Sequence, residues 1–142
     1  MRTIKQFRYS LLLIFILLVS SSYNAYSQNI GRWEKLGERT VNLGLDKDVI
    51  RCADKGTFTA IRFHVSRAPV SFMRVFVKYA NGSTDNLNFN QLVRPGENSR
   101  YLDLRGSRRV IREITVYYKT EKKSPRHGNK YRKASVQVWG RH

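Results

Sequence analysis

The chain has 142 residues, and its 27 lysines and arginines against 10 aspartates and glutamates give a formal net charge of +17. That length holds about one domain with one modest core. A single cysteine, Cys52, excludes an intramolecular disulfide, so stability rests on packing; Cys52 reads as a small buried hydrophobe, with pairing between chains as the other option.

The first stretch reads as an export leader rather than as fold. Arg2, Lys5 and Arg8 form a positive start, Leu11–Val19 is an unbroken apolar run, and Ala25 and Ser27 put small residues where signal peptidase cuts, before Gln28. The run is far shorter than the ~20 residues a spanning helix needs. No cysteine follows it to carry a lipid. The expectation is a signal peptide over 1–27 and a single domain over 28–142 without a transmembrane segment. The protein would be exported, periplasmic or extracellular. Without the leader, 24 basic and 10 acidic side chains remain.

Trp33–Val41 opens the domain as a strand. Trp33 and Leu36 fall on opposite parities, and Gly37 permits the bulge or bend this requires. Asp46-Lys47-Asp48 reads as a turn into a strand ending at Cys52, and Asp54-Lys55-Gly56 as another turn. Thr57–Val65 alternates Thr57, Thr59, Ile61, Phe63 and Val65 against Phe58, Ala60, Arg62 and His64, and its branched and aromatic content favours strand. After Ala68-Pro69, Val70–Ala80 sets Met73, Val75, Val77 and Tyr79 against Phe72, Arg74, Phe76 and Lys78. Asn81-Gly82 predicts a two-residue type I′ hairpin turn, with Thr84–Phe89 as the returning strand. Asn90–Arg100, with Pro95-Gly96, reads as a longer connection.

The domain is organised around Tyr101–Lys119. Leu102 and Leu104 alternate with polar neighbours, a turn passes through Gly106, and Ile114, Val116 and Tyr118 form the buried side of a long strand over Val110–Lys119. Ile111 breaks that parity, so it either faces out or is re-aimed by a bulge at Arg112–Glu113. Thr120–Lys133 lacks apolar periodicity and reads as a basic loop. Ala134–Gly140 ends the domain, with Ala134, Val136 and Val138 against Gln137 and Trp139. No segment of the domain holds a helical period beyond about two turns. About seven to eight short strands separated by turns predict an all-β fold, an antiparallel β-sandwich of jelly-roll or galactose-binding-like type.

One set of positions carries a resemblance. Trp33-x-x-Leu36-Gly37, Asp46-Lys47-Asp48-Val49-Ile50, Gly56-Thr57-Phe58 and Asn81-Gly82 precede Ser99-Arg100-x-Leu102-Asp103-Leu104-x-Gly106-x-x-Arg109-x-Ile111 and Ala134-x-Val136-x-Val138-x-Gly140. The set resembles a family of small secreted bacterial domains of unknown function that includes the enterobacterial YaaI-type proteins. The resemblance implies a compact exported β-sandwich and no reaction, cofactor or substrate. Paired cysteines found in some members have no counterpart here.

The charge is uneven. Residues 28–104 carry 12 basic and 8 acidic side chains, whereas 105–133 carry 11 basic and 2 acidic. The basic ones are Arg105, Arg108, Arg109, Arg112, Lys119, Lys122, Lys123, Arg126, Lys130, Arg132 and Lys133. Such a field attracts polyanions, and the arginine fork matches phosphate, sulfate or carboxylate. Tyr117, Tyr131 and Trp139 lie near these charges and are candidate stacking platforms, whereas Tyr118 shares parity with the core. A solvated, solubility-giving face explains the same charge run. Arg109, inside Gly-x-x-Arg-x-Ile, can instead be buried and paired.

Chemistry is sparsely signalled. His64, His127 and His142 stand at unrelated positions, and no nucleophile elbow, zinc-protease helix or phosphate-cradling glycine loop is present. No sequence-specific nucleic-acid motif occurs. Counting a calcium loop from Asp46 puts Arg51 where glycine belongs, so no metal and no cofactor is expected. The reading is a secreted non-enzymatic binding module for anionic envelope or extracellular polymers: acidic glycan, lipopolysaccharide phosphate or nucleic acid. A structural domain docking on an exported protein partner is the alternative, and a small secreted hydrolase a weaker one.

Overall fold

Side chains that are apolar at every second position can cover one face of a pleated strand, and two such surfaces close on each other. The computed structural model describes residues 31–41, 44–120 and 133–142. The expected signal peptide and the stretch 121–132 of the expected basic loop lie outside the described residues. Internal contacts divide the chain after Arg32, and the unit Trp33–His142 contains eight strands. They are β1 (Trp33–Val41), β2 (Leu45–Arg51), β3 (Ala60–Ser66), β4 (Val70–Tyr79), β5 (Thr84–Val93), β6 (Leu102–Asp103), β7 (Ile111–Thr120) and β8 (Ala134–Arg141). They form two four-stranded antiparallel sheets: sheet A in the order β1-β8-β3-β6, and sheet B in the order β2-β7-β4-β5. The all-β sandwich is as the alternation predicts.

The core is one cluster drawn from both inner faces. Phe63 of sheet A stacks on Phe72 of sheet B with centroids 4.9 Å apart, and Phe89 tilts against both at 5.5 and 5.3 Å. Each fully buried side chain of this size contributes roughly 1.5–3 kcal/mol. The edges are protected as well. On edge strand β5 the Phe89 carbonyl accepts an Arg100 guanidinium N–H at 2.8 Å, which occupies an acceptor that another strand would seek.

Irregular registers adjust which residues enter the core. In β1 the pairing steps from Lys35↔Trp139 to Gly37↔Val138, so Leu36 is the extra residue and turns inward. In β7 it steps from Lys78↔Glu113 to Tyr79↔Ile111; Arg112 is the bulged residue, and both Ile111 and Ile114 are buried. The parity conflict at Ile111 is thus resolved by the bulge. In β4 the step from Phe72↔Tyr118 to Arg74↔Tyr117 makes Met73 extra. Phe72 is therefore buried and Met73 is 44% exposed, the reverse of the strict alternation expected for this segment.

Other expectations need correction. Asn81-Gly82 is not a two-residue type I′ turn. Gly82 N–H bonds Tyr79 O at 3.0 Å and Tyr79 N–H bonds Ser83 O at 2.9 Å, so Ala80–Gly82 forms a three-residue loop. Gly82 has φ +85°, but Asn81 does not enter positive φ; its Oδ1 accepts the Ser83 N–H at 3.0 Å, which fixes the turn from the other side. Phe58, placed by alternation on the face opposite Ile61, Phe63 and Val65, is buried with them, because a bend at Thr59 separates it from β3 and its backbone bridges Arg109 through two 2.9 Å bonds. Asp46-Lys47-Asp48 lies within β2 rather than in a turn, since Asp48 receives the Tyr118 hydroxyl at 2.7 Å and Arg39 Nε at 3.2 Å. The strand returning from the hairpin continues past Phe89 to Val93. Cys52 is half-buried against the core rather than inside it.

Candidate ligand-binding face

Because Val75, Val77, Ile114 and Val116 point into the sandwich, their neighbours in sequence form the outer side of sheet B. The registers align them in rows across the strands. One row is Lys47, Tyr117, Arg74 and Asn88; the next is Val49, Thr115, Phe76 and Asn86; the next is Arg51, Glu113, Lys78 and Thr84. Among the described residues, four of the five exposed large hydrophobics, Leu45, Val49, Met73 and Leu92, also lie on this side. A monomer normally scatters such residues.

Two irregularities meet in the middle of the sheet. Met73 is extra relative to β7, and β5 carries one more residue than β4 between Phe72↔Gln91 and Arg74↔Asn88. Within that interval Asn90 has φ +33°. The ladder opens there into a depression of about 420 Å³ lined by Met73, Arg74, Phe76, Asn88, Asn90 and Tyr117, a volume in the range of small-molecule sites. The Phe76 and Tyr117 rings meet edge to face at 5.6 Å and 62° and form its apolar wall. Asn86, Asn88 and Asn90 project on the β5 side and offer both donors and acceptors.

The charge on this side is mostly positive. Lys47, Arg51, Arg74, Lys78, Arg112 and Lys119 are exposed here, and the acid present among the described residues is Glu113, 3.7 Å from Lys78. Asp48 and Asp85 turn the other way, to the hydroxyls of Tyr118 (2.7 Å) and Tyr79 (2.6 Å).

The residues expected to form one basic site are divided by the fold. Arg112, Tyr117 and Lys119 share this outer face. Arg105 and Arg108 are exposed at the turn beyond the start of β7, and Lys133 is exposed at the opposite end of the sandwich, before β8. Arg109 is tied into the structure. Its Nη1 donates to Arg105 O at 2.7 Å, its Nη2 to Ser83 Oγ at 2.6 Å, and its guanidinium lies 3.7 Å over the Tyr79 ring. Lys122, Lys123, Arg126, Lys130, Tyr131 and Arg132 lie outside the described residues. Trp139 is on β8, so it faces out from sheet A rather than sheet B. Its neighbourhood there holds Trp33, with Arg62 at 4.2 Å over the ring, and Arg141, paired with Asp103 at 3.3 Å. Sequence reasoning missed Lys47, Met73, Arg74, Phe76 and the β5 asparagines. The available signal was the alternation Arg74-x-Phe76-x-Lys78, which echoes Thr115-x-Tyr117-x-Lys119 on the neighbouring strand.

The described histidines serve separate contacts: His64 Nδ1 is 3.0 Å from Asn98 Oδ1, and His142 pairs with Glu34 at 2.9 Å while its ring lies against Phe58.

Among solved structures, the chain is similar to Pseudomonas aeruginosa AlgX at 15% identity, over 77% of this chain and 26% of that one, with a TM-score of 0.45. It is also similar to a variant of a family 29 carbohydrate-binding module complexed with cellulohexaose, at 10% identity over 78% of this chain and 91% of that one, with a TM-score of 0.34. A second variant of that module, complexed with mannohexaose, gives 10% identity over the same shares and a TM-score of 0.33. No curated protein sequence matches the chain. A family profile, Domain of unknown function (DUF2541), matches residues 11–140, and the chain belongs to that family.

Proposed function

We propose that this is an exported, non-enzymatic binding module that takes an anionic glycan across the outer face of sheet B. The observation that carries the reading is the Phe76–Tyr117 pair set among unneutralised cations. Half-exposed rings offer a surface to the apolar face of a sugar. Arg74 and Lys47, in the same row as Tyr117, receive carboxylate, sulfate or phosphate, and the asparagines of β5 match ring hydroxyls. A hydroxyl-rich ligand uses the amide side of this face, which nucleic-acid stacking would leave idle. Export by cleavage before Gln28 is part of the proposal; the intact mass of exported material checks it, and material still carrying residues 1–27 would refute it.

The test is titration of the mature protein with acidic and neutral oligosaccharides at several salt concentrations. Acidic glycans should bind, and the affinity should fall steeply with salt as counterions are displaced. Stacking of a flat ring on an aromatic side chain is worth ~1–3 kcal/mol per base in nucleic acids, so Tyr117→Ala should weaken binding on the order of 10- to 100-fold. Arg74→Gln should weaken it and flatten the salt dependence. Equal affinity for neutral glycans, or a folded Arg74→Gln/Tyr117→Ala variant that binds like the parent, would overturn the reading. A salt-insensitive affinity for another exported protein would favour the docking alternative.

A further inference from the structure

The connection from β3 to β4 carries the chain from sheet A to sheet B in three residues, Arg67 to Pro69. It does so by a turn in which the Ala68 N–H bonds Ser66 O at 3.0 Å, across a single residue, with Arg67 at φ +73°. A turn of that type with positive central φ is rare and strained, and outside glycine and asparagine it is seldom accepted. The surroundings enforce it. Val65, Ala68 and Val70 are all buried, so the turn has to bring Ala68 inward between two core residues. Glycine would relieve the backbone at no steric cost, yet an arginine stands there with its side chain exposed.

The same end of the sandwich gathers more cations. Val70 pairs with both Val93 and Thr120, so Arg94 and Lys119 flank the strand that leaves the turn. Ser66 pairs with Ser135, which brings Lys133 beyond it. All four cations are exposed and form no ion pair among the described residues. Two exposed carboxylates also stand at this end, neither ion-paired among the described residues: Glu97 Oε2 accepts the Arg94 N–H at 3.1 Å, and Asp46 Oδ1 accepts the Lys47 N–H at 2.8 Å, so the four cations leave a net positive charge. Strain is retained, and cations outnumber acids without pairing to them, at one place.

We infer that the end bearing Arg67, Arg94, Lys119 and Lys133 is a site for one tetrahedral oxyanion, the sulfate or phosphate of a monoester, with the Arg67 guanidinium at the apex of the strained turn as its principal donor. The site shares Lys119 with the face proposed above and otherwise stands on different residues. Arginine offers two parallel N–H groups to two oxygens of such an anion, and three further cations balance its double charge.

The experiment is an NMR titration of the mature protein with inorganic sulfate, and separately with inorganic phosphate, at constant ionic strength, following the amides of Arg67, Ala68 and Lys119. Saturable shifts are expected in the parent. Arg67→Gly removes the guanidinium and the strain together, so it should raise the melting temperature and lower the anion affinity at least tenfold. A phosphate preference that grows as pH rises and inorganic phosphate loses its second proton points to phosphate esters as the source; equal binding of both anions points to sulfate esters as well. Shifts that do not saturate in the parent, or an Arg67→Gly protein with unchanged anion affinity, would overturn the inference. Because the probe is an inorganic ion, this result and that of the glycan titration are read separately.

Discussion

Replacing Arg109 with glutamine should destabilise the domain, whereas the same change at its neighbours Arg105 and Arg108 should not. Arg109 donates to Arg105 O and Ser83 Oγ at 2.7 and 2.6 Å and covers the buried Tyr79 ring at 3.7 Å. It thereby fastens the turn after β6 to the β4–β5 hairpin. Charged hydrogen bonds are worth ~1.5–3 kcal/mol when buried, and these are only partly shielded, so about 1 kcal/mol each is reasonable. The cation–π contact adds ~0.5–1 kcal/mol. The total is about 2–3 kcal/mol, or roughly 10 °C in Tm for a domain of this size. Arg105 contributes through its backbone, with its N–H bonding Asp85 Oδ2 at 3.2 Å, so its side chain is dispensable. Arg108 is exposed, and both glutamine variants should stay within ~0.5 kcal/mol of the parent. Thermal and urea unfolding of the three single variants decides the matter. Equal melting temperatures would refute the bracing role and return Arg109 to the surface charge.

Three further outcomes follow from local geometry. Burial, helped by the Glu113 carboxylate, pushes the Cys52 thiol up to about 12; the folded protein should resist alkylation at pH 8 and react once unfolded, and rapid labelling of the native state would contradict this. Hydrogen bonds from Lys35 and Ser135 hold the Glu38 carboxyl down at about 2. Its folded-state affinity for protons is lower than in the unfolded chain, so its contribution to stability is present above ~4.3 and is lost as pH falls through about 2. An NMR titration of Glu38 with an ordinary midpoint, or one unmoved by Lys35→Met, would count against it. Gly82→Val forces a branched residue to φ +85° and should cost ~1–2 kcal/mol, read as a lower Tm; an unchanged Tm would show that the turn relaxes.

Much of the fold was legible because alternation is a local property. Ile61, Phe63 and Val65, or Val136 and Val138, announce their buried side without reference to any partner strand. Phase errors arose where the partner decides. Met73 is extruded only because β7 supplies one residue fewer between Tyr118 and Tyr117, and nothing in Val70–Ala80 records that. At Gly37 and Ile111 the parity conflict was visible within the strand itself, so those bulges could be anticipated. The face on sheet B was legible only along β7. Its other parts come from β2 and β4, which flank β7 in space and lie far from it in sequence. Trp139 shows the converse: it is near the charges in sequence, but the connection from β7 to β8 changes sheets.

The cations of sheet B also make opposite demands on fold and ligand, and salt separates the two. Lys47 and Arg74 are two strands apart in one row, about 10 Å by strand spacing. At that distance two like charges in water repel by ~0.4 kcal/mol, and about 0.1 M salt has a Debye length of similar size. Lys119 and Arg51 extend the same arrangement along the strands, so several such pairs oppose folding at low ionic strength. Raising sodium chloride from about 10 to 150 mM should therefore raise Tm by a few degrees. The rise should shrink in Arg74→Gln, which sits at the centre of the group. The same salt should weaken an anionic ligand, since the ligand relieves the repulsion that salt screens. A melting temperature indifferent to salt in parent and variant alike would mean that the cations are too solvated to feel one another. Arg74 and Lys47 would then lose the field on which anion recognition at this face depends.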